Sequence, residues 1–96
     1  MEGTMSHIYP TIYNQNTSFG RPAYEVRGGL VYPTIHNQQD SYGVPTYEIR
    51  GSQLYSTDND IWHAHGLPVY KIHDSQLYAT VYNQKDPYGL PLFEIR

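Results

Sequence analysis

Two histidines, His63 and His65, lie two positions apart in the segment Asp60-Ile61-Trp62-His63-Ala64-His65. In a locally extended chain both imidazoles would point to the same side, and imidazole is a good ligand for Zn, Cu or Ni. Zinc sites usually need three or four protein ligands, and His73 and His36 are the candidates for a third. The pair therefore raises the hypothesis of a zinc or nickel site at His63 and His65. The alternative is that His65 fills a position that is aromatic elsewhere in the chain, so the default expectation is no cofactor.

A second group of candidates lies in polar segments rich in Asn, Gln, Asp and Tyr. Amides, carboxylates and flat rings suit a carbohydrate, which needs hydrogen-bond partners and an aromatic face for stacking. The same residue types also make turns, and the Tyr or Phe before each loop glycine would then anchor the loop to the core. Both interpretations stay open. The candidate ligand-binding residues are Asn37, Gln38, Asp40, Tyr42, Trp62, His63, His65, Asn83, Gln84, Asp86 and Tyr88.

Motifs for catalysis are missing from the sequence. It has no paired-carboxylate motif, no phosphate-binding glycine loop, no nucleophile elbow and no cysteine. Catalysis needs different groups in different roles, whereas repetition supplies equal copies of one environment. We therefore expect a binding or assembly module for a carbohydrate or a protein, and not an enzyme. A purely structural or oligomerising protein is the alternative.

The elements that carry these residues follow a 23-residue repeat that occurs four times, at about residues 6–28, 29–51, 52–74 and 75–96. A repeat this short cannot bury its own apolar face, so its copies must share one core. We expect a single domain over residues 7–96 and a disordered N-terminal segment over residues 1–6. The repeat is marked by Tyr9, Tyr32, Tyr55 and Tyr78, by Gly20, Gly43, Gly66 and Gly89, and by Pro22, Pro45, Pro68 and Pro91.

The repeat boundaries predict β-hairpins. Gly28-Gly29 joins two segments rich in β-branched and aromatic residues, and Gly51-Ser52 and Asp74-Ser75 take its place later in the chain. With these pairs as two-residue loops, Val26 lies opposite Val31, and one face collects the apolar side chains. The predicted inward residues are Tyr24, Val26, Val31, Pro33 and Ile35 in the first hairpin, Tyr47, Ile49 and Leu54 in the second, and Tyr70, Ile72, Leu77, Ala79 and Val81 in the third.

The two ends of the sequence predict a closed fold. The segment 7–13 resembles the second strand of a hairpin, and the sequence stops at Arg96, where the next turn would begin. Pairing residues 92–96 with residues 7–11 would complete a fourth hairpin and leave no open strand edge. The predicted fold is all-β, with four tandem hairpin repeats closed into a pseudo-four-fold ring by pairing of the C-terminal and N-terminal strands. A leucine-rich repeat lacks its leucine ladder here, and a parallel β-helix would need bends in place of hairpins.

The pattern Tyr32-Pro33-Thr34 through Tyr42-Gly43-Val44-Pro45-Thr46-Tyr47-Glu48-Ile49-Arg50-Gly51 resembles the bacterial and phage proteins described as four-fold β-flowers. The resemblance covers residues 7–96. It implies four short β units around an approximate four-fold axis, and it supplies no catalytic or binding residues.

Composition narrows the class of partner. The net charge of −3 with only 6 Lys and Arg leaves no basic stripe, so we expect neither nucleic acid nor an anionic membrane as partner. With no apolar run of about 20 residues and no signal-peptide pattern, a cytoplasmic location is the default expectation. The outward strand face carries Glu–Arg pairs beside tyrosines. Such a face is either simply solvated or an interface with a protein or a second copy of the chain, which would make a homo-oligomer.

Overall fold

The computed structural model describes residues 6–14, 19–37 and 39–96, which form eight antiparallel strands. The strands are β1 (Ser6–Pro10), β2 (Tyr24–Arg27), β3 (Leu30–Pro33), β4 (Tyr47–Arg50), β5 (Gln53–Ser56), β6 (Pro68–His73), β7 (Gln76–Ala79) and β8 (Pro91–Ile95). A helix able to cross a bilayer is absent from this part of the chain.

Each strand pairs with its neighbours in the sequence, and β1 pairs with β8, so the sheet closes on itself. Ile8 lies opposite Ile95, and His7 and Arg96 exchange backbone hydrogen bonds of 3.0 and 2.8 Å. The predicted all-β fold and its closure by the terminal strands are therefore confirmed. The pseudo-four-fold symmetry of the ring stays a prediction. β1 begins at Ser6, one residue before the predicted domain start, and the rest of the predicted disordered segment lies outside the described residues.

The hairpin register agrees with the prediction. Val26 lies opposite Val31, and the corresponding pair in the second hairpin is Ile49 and Leu54. Gly28 and Gly29 have φ angles of 56° and 79°, as a two-residue turn of this kind requires. Polarity and turn chemistry were sufficient here because each hairpin buries only one face.

Four aromatic rings form the centre of the core. We call Tyr24, Tyr47, Tyr70 and Phe93 the aromatic quartet, and all four are buried. Each ring contacts two others edge-to-face, with centroids 5.5 to 5.6 Å apart, so the contacts form a closed cycle. Edge-to-face pairs add about 0.5–1.5 kcal/mol each beyond the burial of their surface. The other buried apolar residues around the quartet are Ile8, Ala23, Val31, Leu54, Val69, Leu77, Ala79 and Leu92.

The prediction that Ile35 and Val81 face inward was wrong. Their side chains are 73% and 71% exposed. β3 ends at Pro33, and the chain then turns at Thr34, whose carbonyl accepts from the Asn37 amide at 3.1 Å. The same turn follows β7, where Thr80 accepts from Asn83 at 3.1 Å. The two-residue alternation of a strand therefore stops before either apolar residue is reached.

A threonine fastens each long loop to the neighbouring strand region. The hydroxyls donate to proline carbonyls at 2.5 to 2.6 Å, in the pairs Thr11–Pro91, Thr34–Pro22, Thr57–Pro45 and Thr80–Pro68. Thr34 and Thr80 also accept from backbone amides two residues ahead, at 3.2 Å. These bonds fix where each long loop leaves the sheet, and so they position the side chains that the loops carry.

Candidate functional site: the long loops and their flanks

Polar side chains from the long loops meet the hydroxyls of the aromatic quartet. Tyr24 donates to Asp40 Oδ2 at 2.5 Å, and Tyr70 donates to Asp86 Oδ2 at 2.5 Å. Both carboxylates are buried. The Tyr47 hydroxyl lies close enough to Tyr24 to offset part of the rise in the pKa of Tyr24, but no described residue meets it at normal hydrogen-bond distance and angle. We call these five residues, together with Asp60, His63 and Lys85, the buried polar cluster.

Burial determines the protonation of the three tyrosines. It raises the pKa of Tyr24, Tyr47 and Tyr70 well above the usual value, because the phenolate would lose its hydration. The neighbouring Asp40 raises the pKa of Tyr24 further, and Asp86 does the same for Tyr70. All three hydroxyls are therefore poor candidates for a base, and those of Tyr24 and Tyr70 donate hydrogen bonds to carboxylates.

A lysine from a different loop supplies a positive charge to this cluster. The Nζ of Lys85 lies 3.8 Å from Asp40 Oδ2 and 3.4 Å from the Tyr24 hydroxyl, although the lysine side chain is only 5% exposed. The Trp62 ring centroid is 5.9 Å from the same Nζ, at the outer range of a cation–π contact. A buried charge is tolerated when it is paired, and Asp40 supplies the opposite charge for Lys85. The contacts of Lys85 with Asp40 and Trp62 join three loops.

His63 is part of the same cluster, and both of its ring nitrogens are occupied. Nδ1 bonds to Asp60 Oδ2 at 2.8 Å, and Nε2 accepts from the backbone amide of Gln84 at 3.0 Å. The acceptor role of Nε2 identifies the neutral tautomer with the proton on Nδ1. A metal at His63 would have to displace one of these two bonds.

The other predicted ligands lie apart from that histidine. His65 is exposed and bonds to Asp58 Oδ1 at 2.9 Å. His73 is also exposed, and its Nε2 is 3.3 Å from Asp74. In residues 6–14, 19–37 and 39–96, no group of three or more His, Asp or Glu is placed to hold a metal ion. His63 and His65 are thus not brought together with a third ligand in this part of the chain.

The predicted loop candidates divide into buried and exposed sets. Asn37 and Asn83 use their side-chain oxygens to accept from loop amides, those of Gln39 and Lys85 at 2.9 Å. Asn37, Asp40 and Asp86 are buried, and Gln38 lies outside the described residues. The exposed members of the predicted set are Tyr42, Trp62, His65, Gln84 and Tyr88. The asparagines and aspartates hold the loops together, and the aromatic side chains face solvent.

Sequence reasoning included Tyr42 and Tyr88 among the candidates but missed that each belongs to an exposed apolar pair on a loop. We call Ile12 with Phe19, Ile35 with Tyr42, and Val81 with Tyr88 the flank pairs. All six side chains are 65% to 74% exposed. The aromatic residues before the loop glycines therefore do not anchor the loops to the core. In the third repeat the same two positions hold Asp58 and His65, which bond to each other. The sequence pattern that could have revealed the pairs is this replacement of both members of one pair by polar residues.

Comparisons with known proteins give no match to this chain, whether to a family model, a curated protein or a solved structure. The resemblance to four-fold β-flower proteins stays a prediction based on the repeated sequence pattern.

Proposed function

We propose that this protein is a non-enzymatic binding module that docks onto a protein partner through its flank pairs. The observation that supports the proposal is the exposure of three aliphatic and three aromatic side chains at corresponding positions of three loops. Groups of exposed apolar side chains on soluble proteins mark interaction sites, because covering them removes apolar surface from water.

The aliphatic members favour a protein over a carbohydrate. Ile12, Ile35 and Val81 offer no hydrogen bond to a sugar hydroxyl, but they fit the apolar centre of a protein interface. In two of the loops, asparagine amides that would suit a sugar are engaged elsewhere. Asn37 bonds to Ala23 O at 3.2 Å, and Asn83 bonds to Val69 O at 2.9 Å.

The non-enzymatic part of the proposal is supported by the buried polar cluster. Its side chains bond mainly to one another, as in Tyr70 with Asp86 and His63 with Asp60. The raised tyrosine pKa values keep these hydroxyls protonated. The cluster therefore acts as a polar part of the core, and partner binding is assigned to the exposed flank pairs.

The third repeat supplies the substitution that tests the proposal. We would replace the flank pairs with the Asp–His pair found there, as Ile12→Asp with Phe19→His, Ile35→Asp with Tyr42→His, and Val81→Asp with Tyr88→His. Partners would be captured by the native protein, identified, purified and titrated by calorimetry. We expect a negative heat-capacity change on binding and at least a tenfold loss of affinity in the triple-pair variant.

Ile61→Asp is the matched control, because Ile61 is an exposed aliphatic residue outside the flank pairs. It should leave the affinity unchanged. A purified partner that binds the native and triple-pair proteins equally would contradict the proposal. Sedimentation of both proteins identifies the remaining case, since dimers of the native chain that vanish in the variant would make the partner a second copy.

A further inference from the structure

A groove of about 550 Å³ opens beside the hairpin formed by β6 and β7. Lys71 and Tyr78 lie opposite each other on its strands, on the face away from the buried Tyr70 and Leu77. One flank pair, Val81 with Tyr88, belongs to the same groove. The full lining is Lys71, His73, Tyr78, Ala79, Thr80, Val81, Tyr88 and Gly89.

In the other hairpins an arginine covers the corresponding tyrosine. Arg27 Cζ lies 3.9 Å from the Tyr32 ring centroid, and its Nε is 3.7 Å from Glu25. The same arrangement occurs in the second hairpin, where Arg50 is 3.9 Å from the Tyr55 ring and 3.6 Å from Glu48. Where the chain ends meet, Arg96 lies 4.2 Å from the Tyr9 ring and 3.6 Å from Glu94. These three tyrosines each have a guanidinium stacked on them.

The hairpin of β6 and β7 lacks this cover. His73 stands where the others have arginine, and its ring meets Tyr78 edge-on at 6.3 Å. Lys71 stands where the others have glutamate, and it makes no ion pair with any residue in the described ranges. Lys71 is the one Lys, Arg, Asp or Glu among the described residues of the groove lining, whereas the other hairpins pair a glutamate with their arginine; Asp74, 3.3 Å from His73 Nε2, lies at the turn outside that lining.

We infer that this groove binds an acidic peptide segment of the partner, with a carboxylate at Lys71 and an adjacent apolar side chain against Tyr78, Val81 and Tyr88. The inference rests on the proposed function, and it specifies the kind of partner segment that binds at one flank pair, Val81 with Tyr88. Charge complementarity selects the acidic group, and the exposed rings select its apolar neighbour. Because every strand is paired on both sides, recognition uses side chains and not addition of a strand to a free edge.

A carbohydrate suits this groove poorly. The Thr80 hydroxyl already donates to Pro68 O at 2.6 Å and accepts from the Tyr82 amide at 3.2 Å. The Tyr78 hydroxyl donates to Gln76 Oε1 at 3.3 Å. Lys71 and the Tyr88 hydroxyl are then the main polar side-chain groups left for a ligand, whereas a sugar needs several donors and acceptors around its ring.

The test is a library of random 12-residue peptides displayed on phage and selected on the native protein. The comparison variant is Lys71→Glu with His73→Arg, which restores the pair found in the other hairpins. We expect selected peptides with Asp or Glu beside an apolar residue. Measured by fluorescence anisotropy on the synthetic peptides, their affinity should fall at least tenfold in the variant and should weaken with salt. Absence of such peptides, or equal binding to the variant, would overturn the inference, as would displacement of the peptides by oligogalacturonate.

The reciprocal variant is Glu25→Lys with Arg27→His, which removes the cover from Tyr32 beside the flank pair of Ile35 and Tyr42. It should raise the stoichiometry from one peptide per chain to two, and a value of one would contradict the role given to Lys71 and His73.

The variant Ile35→Asp with Tyr42→His separates the two proposals, because it leaves the groove intact. Suppose that this variant binds the partner more weakly, while the variant Lys71→Glu with His73→Arg binds both the partner and the peptides as the native protein does. That result would support the proposed function and overturn the groove inference. No effect of either variant on partner binding would overturn both.

Discussion

Tyr24 and Asp40, 16 residues apart, are joined by a buried hydrogen bond of 2.5 Å. Tyr70 and Asp86 repeat the spacing and the bond. The position 16 residues after Tyr47 holds His63, which is bonded to Asp60 and to the Gln84 amide. Among the described residues Tyr47 has no hydrogen-bond partner of normal geometry, although its hydroxyl is as deeply buried as the others.

This difference predicts opposite responses to the same substitution. Tyr24→Phe should lower the free energy of unfolding by about 1–3 kcal/mol, because it removes a donor from the buried Asp40 carboxylate. Tyr47→Phe should be neutral or stabilising, since it removes a buried hydroxyl that no described residue meets at normal hydrogen-bond geometry. Urea unfolding of both variants measures the difference, with Tyr70→Phe as a second bonded case. Equal losses for Tyr24→Phe and Tyr47→Phe would show that the Tyr47 hydroxyl has a partner.

The raised tyrosine pKa values predict instability in alkali. Below pH 10 both the folded and the unfolded chain keep these protons, so the three groups contribute no pH dependence. Above pH 10 the unfolded chain loses protons that Tyr24, Tyr47 and Tyr70 keep in the folded state. The free energy of unfolding should then fall by about 1.4 kcal/mol per pH unit for each group, until the raised pKa is reached.

The variant Tyr47→Phe isolates one of these contributions. Its slope of stability against pH above 10 should be shallower than the native slope by about 1.4 kcal/mol per unit. Denaturant unfolding at several pH values between 9 and 11.5 gives both slopes. Parallel curves would contradict the assignment of a raised pKa to Tyr47.

The turn of the third hairpin predicts a stabilising substitution. Ser75 has a φ of 63°, a left-handed conformation that costs an ordinary side chain about 1–2 kcal/mol relative to the usual region. Ser75→Gly should therefore raise the free energy of unfolding by about 0.5–1 kcal/mol, after allowance for the greater freedom of glycine in the unfolded chain.

Gly29→Ser is the reverse experiment in the first hairpin. Gly29 has a φ of 79°, and a Cβ there would meet no atom within 4 Å, so its loss of stability would come from the backbone alone. Thermal unfolding of the two variants should shift in opposite directions. A destabilised Ser75→Gly protein would indicate that the serine side chain stabilises the turn.

Closure by β1 and β8 predicts the effects of cutting the chain. Deletion of residues 91–96 removes β8 together with Phe93 of the aromatic quartet, so the shortened chain should not unfold cooperatively. A permutant that joins Arg96 to His7 through Gly-Gly and opens between Gly51 and Ser52 should fold, because Arg96 and His7 pair as Arg27 and Leu30 do and the linker then copies the turn at Gly28 and Gly29. Circular dichroism with urea unfolding checks both chains. A deletion variant that still folds would show that β8 is dispensable. A permutant that does not fold would show that the new join is strained.

Much of the fold could be predicted because the sequence repeats its evidence. The register of one hairpin follows from the polarity around Gly28 and Gly29, and two further hairpins test it independently. The pairing of β1 with β8 follows from matching unpaired strands to each other. A register that places apolar residues on one face in all three hairpins is more secure than a register assigned from one hairpin alone.

The loops were harder to predict, for physical reasons. The alternation of inward and outward side chains holds only within a strand. The chain turns at Thr34, so the alternation no longer predicts where Ile35 points, and its side chain is exposed. The carboxylate partners of the tyrosines come from another segment, and the His63 contact with Gln84 spans 21 residues. The spacing of 16 residues between Tyr24 and Asp40, repeated at Tyr70 and Asp86, was a signal that composition alone conceals.

The pairing of Ile8 with Ile95 also bears on how the chain is made. A ribosome releases β1 well before β8, so one edge of β1 has no partner strand while the residues between them are synthesised. The barrel can therefore close only after β8 has left the exit tunnel, and this closure joins strands that are far apart in the sequence. Until then the unpaired edge of β1 is open to chaperones and to other nascent chains.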